Sequence, residues 1–189
     1  MRFNKFLPIL LLNTGLLFSG NIIGLNINSE DFEVEGSIDI NSFADYTNGT
    51  IFVLDANYIN TEDSDLFGFG LSASNTFQGL DGLSLGLGAR FVNYEDYSAI
   101  PLMLEAIYSI PLIDSIPSAS FSGAIYYAPS VLSFDDAEEY FEFRAEAAME
   151  VISAVSIYVG YRDIEADNTY KNFTNTFNSS FYGGMKMSF

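Results

Sequence analysis

"NSSFYGGMKMSF", residues 178–189, is the stretch whose reading decides the fold. Counting back from Phe189, the apolar side chains fall on every second position: Met187, Met185 and, past Gly183, Phe181. Between them stand Ser188, Lys186, Gly184, Tyr182 and Ser180. A period of two marks a strand with one apolar and one polar face. Soluble domains usually end in a few frayed polar residues. This sequence keeps strand register to its last side chain.

The same period runs through the chain. "FEVEGSIDI" (32–40) sets Phe32, Val34, Ile38 and Ile40 against Glu33, Glu35, Ser37 and Asp39. "TIFVLDANY" (50–58) sets Phe52, Leu54 and Tyr58 against Val53, Asp55 and Asn57. "LFGFGLSAS" (66–74), "LSLGLGARF" (83–91), "LMLEAIYSI" (102–110), "ASFSGAIYY" (119–127), "FEFRAEAAM" (141–149) and "VSIYVGYRD" (155–163) follow suit. The Glu- and Ala-rich stretch 135–151 invites a helix. Helical spacing would scatter Phe141 and Phe143, whereas period two gathers the aromatics on one face, so it reads as a strand. Runs of this kind, about 9–11 residues, can cross a bilayer at a tilt.

Composition narrows the function. The 189 residues include no Cys, His or Trp, but 18 Phe and 12 Tyr, which favour strands. Without Cys there is no disulfide framework, thiolate metal site or cysteine nucleophile. Without His the commonest general base and metal ligand are missing. Small outer-membrane barrel enzymes of the deacylase, palmitoyl transferase, phospholipase and omptin classes use a catalytic histidine. The chain therefore reads as a non-enzyme, with no cofactor and no metal site.

The start reads as an export signal. Arg2 and Lys5 form a positive region, Phe6–Phe18 an apolar one, and Ser19, Gly20 and Gly24 offer small residues for cleavage between 19 and 24. The apolar run is too short for a spanning helix, which needs about 20 residues. Residues 1–20 are thus expected to be a signal peptide and 21–189 a single domain. Removal leaves five cations against 25 acidic residues, a net charge of −20. No basic stripe is left to neutralise nucleic-acid phosphates.

Connectors alternate between less acidic ones (76–82, 111–117, 151–155) and longer or more acidic ones (59–65, 93–99, 128–140, 163–176). This is the habit of an up-and-down barrel with different rims. Nine runs are visible, and bacterial barrels have even strand numbers. "GLNIN" (24–28) supplies a short first strand and makes ten; eight is the alternative.

The apolar faces could pack inward, as in a soluble β-protein, or outward against lipid. Three features favour lipid. The polar faces carry small residues (Gly68, Gly70, Gly86, Gly88, Ser120, Ser122), as a narrow lumen requires. Four of the five mature cations, Arg90, Arg144, Arg162 and Lys186, stand on polar faces among carboxylates. And the chain ends on Phe189 in register. A bilayer offers no partner to a strand edge, so such a sheet must close. The expected fold is all-β: a transmembrane antiparallel up-and-down β-barrel in the outer membrane of a Gram-negative bacterium. Phe181, Met185, Met187 and Phe189 are read as the terminal-strand signal for the barrel-assembly machinery.

"LDANYINTEDSDLFGFGLSAS" (54–74), "AIYYAPSVLSF" (124–134), "VSIYVGYRDIEAD" (155–167) and the terminal "SF" together resemble the YfaZ family of outer-membrane proteins. The resemblance implies a signal peptide, a small barrel and no established activity.

Two residue groups are candidates for function. A lumenal charge network is expected from Arg90, Glu105, Glu142, Arg144, Glu146, Arg162 and Lys186. A hairpin centred between Tyr97 and Ser98 would set Arg90 opposite Glu105. A turn near Ser153 would set Arg162 beside Arg144 and diagonal to Glu142 and Glu146, with Lys186 nearby. Such a network fills and fixes a lumen, or else lines an ion-selective constriction. An acidic extracellular rim is expected from Glu62, Asp63, Asp65, Glu95, Asp96, Asp135, Asp136, Glu138, Glu139, Asp163, Glu165 and Asp167. It is a solvated surface, or it bridges divalent cations to lipopolysaccharide phosphates. The functional expectation is a monomeric barrel in outer-membrane lipid, structural or a minor porin-like channel. The alternative is adhesion or partner binding through the acidic loops.

Overall fold

A computed structural model describes residues 21–189 except 44–47, 62–63, 95–96, 111–117, 136 and 169–170; for 42, 168 and 171–175 it describes the backbone alone. The signal segment and, from the acidic rim, Glu62, Asp63, Glu95, Asp96 and Asp136 lie outside the described residues.

The alternating runs become strands: β1 (Ile22–Ile27), β2 (Asp31–Asp39), β3 (Ile51–Thr61), β4 (Asp65–Thr76), β5 (Leu83–Tyr94), β6 (Tyr97–Ala99), β7 (Leu102–Ser109), β8 (Ala119–Ala128), β9 (Ser133–Asp135), β10 (Ala137–Ile152), β11 (Val155–Asn168) and β12 (Lys171–Ser188). Ten of them form a closed antiparallel barrel. The short first strand is present, and its pairing with the last, Gly24 opposite Lys186, closes the wall. The brief β6 and β9 pair with each other and extend β5 above one rim. Chain ends and the tight Ser153–Ala154 turn share the opposite rim, and the Phe189 N–H donates to Asn21 O at 3.0 Å there.

The faces fall as an outward apolar girdle demands. On β11, Ile157 and Val159 are 45% and 65% exposed, while Tyr158 and Arg162 between and beyond them are buried. Leu85, Leu87, Leu102, Leu104, Phe67, Phe69 and Phe121 are likewise exposed on other strands. In water this much exposed apolar area would drive association; in lipid it is the solvated face.

Toward the rim of β6 and β9, the strand polarity inverts. The outward row of β11 changes from Ile157, Val159 and Tyr161 to Asp163, Glu165 and Asp167, while its inward row changes from Arg162 to Ile164 and Ala166. β3, β4 and β5 do the same at Ile59, Leu66 and Val92. These inward side chains join Tyr97, Ala99, Tyr140 and Ala128 in one buried apolar cluster. The strands thus leave the bilayer and continue as an ordinary water-soluble β-structure with its own core.

This inversion corrects the expected connectors. Asp163, Glu165 and Asp167 lie on β11, Glu138 and Glu139 on β10, Asp65 on β4 and Asp135 on β9, so they belong to strands and not to loops. Their carboxylates were read as loop signals because the apolar partners had moved to the other face.

Inward glycines make room for large polar neighbours. A Cβ at Gly184 would stand 2.5 Å from both the Leu25 carbonyl oxygen and the Tyr158 ring. A Cβ at outward Gly123 would meet nothing nearer than 3.9 Å. Gly184→Ala is therefore expected to lower folding stability by about 1–3 kcal/mol, the usual effect of overpacking, and Gly123→Ala to leave it nearly unchanged. Urea unfolding in lipid vesicles, followed by heat-modifiable gel migration, measures both.

Candidate functional site

The polar faces bring a continuous network into the middle of the bore. Strand pairing sets Arg144 of β10 directly opposite Arg162 of β11. Like charges so placed repel. Glu33 of β2, three strands around the wall from β11, reaches between them. Arg162 Nη1 donates to Glu33 Oε2 at 2.5 Å, and Arg144 Nη1 donates to the same carboxylate at 3.0 Å. Asn57 Nδ2 and Asn26 Nδ2 donate to it at 2.6 and 3.0 Å. Glu33 and Arg162 are both 0% exposed.

Each arginine has further partners. Arg162 donates to Asp31 Oδ1 at 2.6 Å and to Asn178 Oδ1 at 3.0 Å. Arg144 Nε donates to Glu142, which also accepts from Tyr140 Oη at 2.5 Å. Arg90 donates twice to Asp55 Oδ1, at 2.7 and 3.1 Å, lies 3.9 Å from Glu142, and stacks 4.4 Å above the Tyr126 ring. Nearer the rim of the chain ends, Lys186 Nζ bridges Glu146 at 2.6 Å and Glu35 at 3.3 Å over the Tyr158 ring. Tyr182 Oη donates to Glu146 at 2.8 Å.

The expected network is thus partly assembled. Arg144 and Arg162 are neighbours, and Lys186 joins Glu146. Arg90 is not opposite Glu105. The strands pair up to Tyr94 with Tyr97, two residues earlier than expected, so Gly86 faces Glu105 and Arg90 turns to Asp55. Glu142 and Glu146 flank Arg162 diagonally by register, yet its ion pairs go to Asp31 and Glu33. Asp31, Glu33, Glu35 and Asp55 were missed. All but Asp31 stood in plain view on the polar faces of "FEVEGSIDI" and "TIFVLDANY"; what was lacking was the closure that brings β2 near β11.

The terminal apolar row, Phe181, Met185, Met187 and Phe189, is outward and 47–79% exposed. Among the described residues no group of three or more acidic side chains could hold a metal ion.

A closed barrel with an apolar girdle and a polar, ion-paired interior is an integral outer-membrane protein. The chain belongs to the YfaZ family: the family described as YfaZ precursor matches residues 16–189. No curated protein matches it. Among solved structures it is similar to the KdgM porin, at 11% identity over 89% of this chain and 98% of that one, TM-score 0.42. It is also similar to a NanC porin, at 10% identity over 89% and 98%, TM-score 0.44.

Removing Glu33 would leave two buried arginines facing each other. Glu33→Leu is expected to lower stability by about 3–5 kcal/mol, as for one partner of a buried ion pair. Glu35→Leu, at a half-open site, should lower it by less than about 1 kcal/mol. Urea midpoints of the two variants provide the comparison.

Proposed function

We propose that this protein is a monomeric structural barrel of the outer membrane whose bore is too obstructed for general diffusion. The observation that carries this reading is the pair Glu33 and Arg162, wholly buried at mid-bore, with the apolar cluster around Tyr140 and Ile164 stacked beyond them. Ten strands leave a bore near the size that side chains alone can fill. Any conductance is that of a narrow, ion-sized leak. No catalytic step is assigned to it.

By the rule that short turns face the periplasm, the rim with the chain ends and the Ser153–Ala154 turn is periplasmic and the inverted, acidic strand ends are extracellular. The outward row ending at Phe189 is the surface offered to the assembly machinery, after a signal peptide cleaved between 19 and 24. In planar bilayers, the refolded, heat-modifiable protein should give no discrete current steps. Stable steps of an open water-filled pore would refute the reading.

A second reading is favoured by the outward row Asp163, Glu165 and Asp167, which stands just beyond the apolar Tyr161. These carboxylates are placed to share divalent cations with lipopolysaccharide phosphates, or to meet a surface partner. Chelation by EDTA should then lower the thermal unfolding midpoint in lipopolysaccharide bilayers and leave it unchanged in phosphatidylcholine. Equal midpoints in both would remove the bridging role.

A further inference from the structure

Below the arginine network the lumen widens into a cavity of about 420 Å³ that reaches the rim of the chain ends at Ile22, Ser156 and Ser188. Its inner end is floored by Arg90, Tyr126 and Arg144. It is a vestibule that opens at that rim.

Each cation around it has a carboxylate partner. Asp55 holds Arg90, Glu146 and Glu35 hold Lys186, and Arg144 is held by Glu33 and Glu142. Glu105 stands apart: among the described residues no hydrogen bond or ion pair engages it, although it lines the cavity. Of the four carboxylates that face the vestibule, Glu35, Asp55 and Glu146 each pair with a cation and Glu105 pairs with none. On β7 this carboxylate stands between Met103 and Ile107, two residues away on either side and on the same inward face, and both line the cavity.

A lone carboxylate set between two apolar side chains matches an ammonium group with a short alkyl stem. The ammonium answers the unpaired charge, and the stem covers Met103 and Ile107. A bare divalent ion fits poorly, because no group of three acidic side chains gathers here and hard cations need many oxygen ligands. We propose that the vestibule is a binding site for a small primary alkylammonium solute, with Glu105 as its counter-ion. The site does not depend on whether the barrel conducts, so a conducting barrel would overturn the preceding reading and leave this one standing.

Met103 provides the reporter. It points inward and is 8% exposed, whereas Met149, Met185 and Met187 are 42–54% exposed on the outer face. The refolded barrel, labelled at its methionine methyls, is titrated with n-propylammonium chloride against sodium chloride at equal ionic strength. The expected result is a saturable shift of the Met103 methyl with propylammonium alone, the outward methyls staying still. Glu105→Gln, which breaks no hydrogen bond or ion pair among the described residues and should fold as the wild type does, should weaken the affinity at least about tenfold, the loss of one charge-assisted contact. A shift that does not saturate, that sodium reproduces, or that survives Glu105→Gln with unchanged affinity would overturn the proposal. Heat-modifiable migration of the variant confirms that a lost shift reports binding and not misfolding.

Discussion

Everything in the lumen is arranged around one repulsion. Arg144 and Arg162 are cross-strand neighbours, and neither can leave the bore, because the outer face of their strands is in lipid. Two buried cations at that spacing are tolerable only with a carboxylate between them. Glu33 supplies it from β2, and so ties the first part of the sequence to the last across the closure of the sheet. The asparagines that donate to Glu33 add hydrogen bonds to the buried carboxylate, and the tyrosines beneath Arg90 and Lys186 add cation–π contacts. Such a network need not add net stability over an apolar filling. What it does add is register: shifting β2 by one residue would turn Glu33 into the lipid.

A second constraint is the solvent, which changes along each strand. In the girdle, lipid outside asks for apolar side chains, and the polar ones turn inward. Beyond it, water outside asks for carboxylates, and the apolar side chains turn inward. β11 records the change within two residues, at Arg162 and Asp163. Period two survives the crossing while its phase flips, so the strands run on well past the membrane. The interior differs accordingly: ion-paired and hydrogen-bonded at mid-bore, apolar near the rim of β6 and β9, and open as a vestibule at the other end.

Much of this was legible from residues alone. The alternation around Phe181, Met185 and Met187 announced the outer face, and the isolated cations on polar faces announced an ion-paired lumen. The parity of antiparallel barrels called for the short first strand. Three things were hidden. The outer strand ends looked like loops, because a search for apolar residues in one phase loses a strand whose phase inverts. The Arg90 partnership was misassigned because one hairpin closes two residues earlier than its sequence suggested. And the role of Glu33 was invisible because a pattern gives the face of a residue but not which distant strand it meets after closure. Inward glycines such as Gly184 marked the polar face, yet only the folded chain shows that this one is the space for a particular side chain, Tyr158.

The most direct test of this account is a double-mutant cycle between Glu33 and Arg162. Unfolding free energies of the wild type, Glu33→Gln, Arg162→Gln and the double variant would be measured by urea titration in lipid vesicles. The account predicts a coupling of about 1.5 kcal/mol or more, within the range for residues in one ion-pair network. A coupling below about 0.5 kcal/mol, the level seen for independent sites, would contradict it: the two side chains would then share the bore without holding it together.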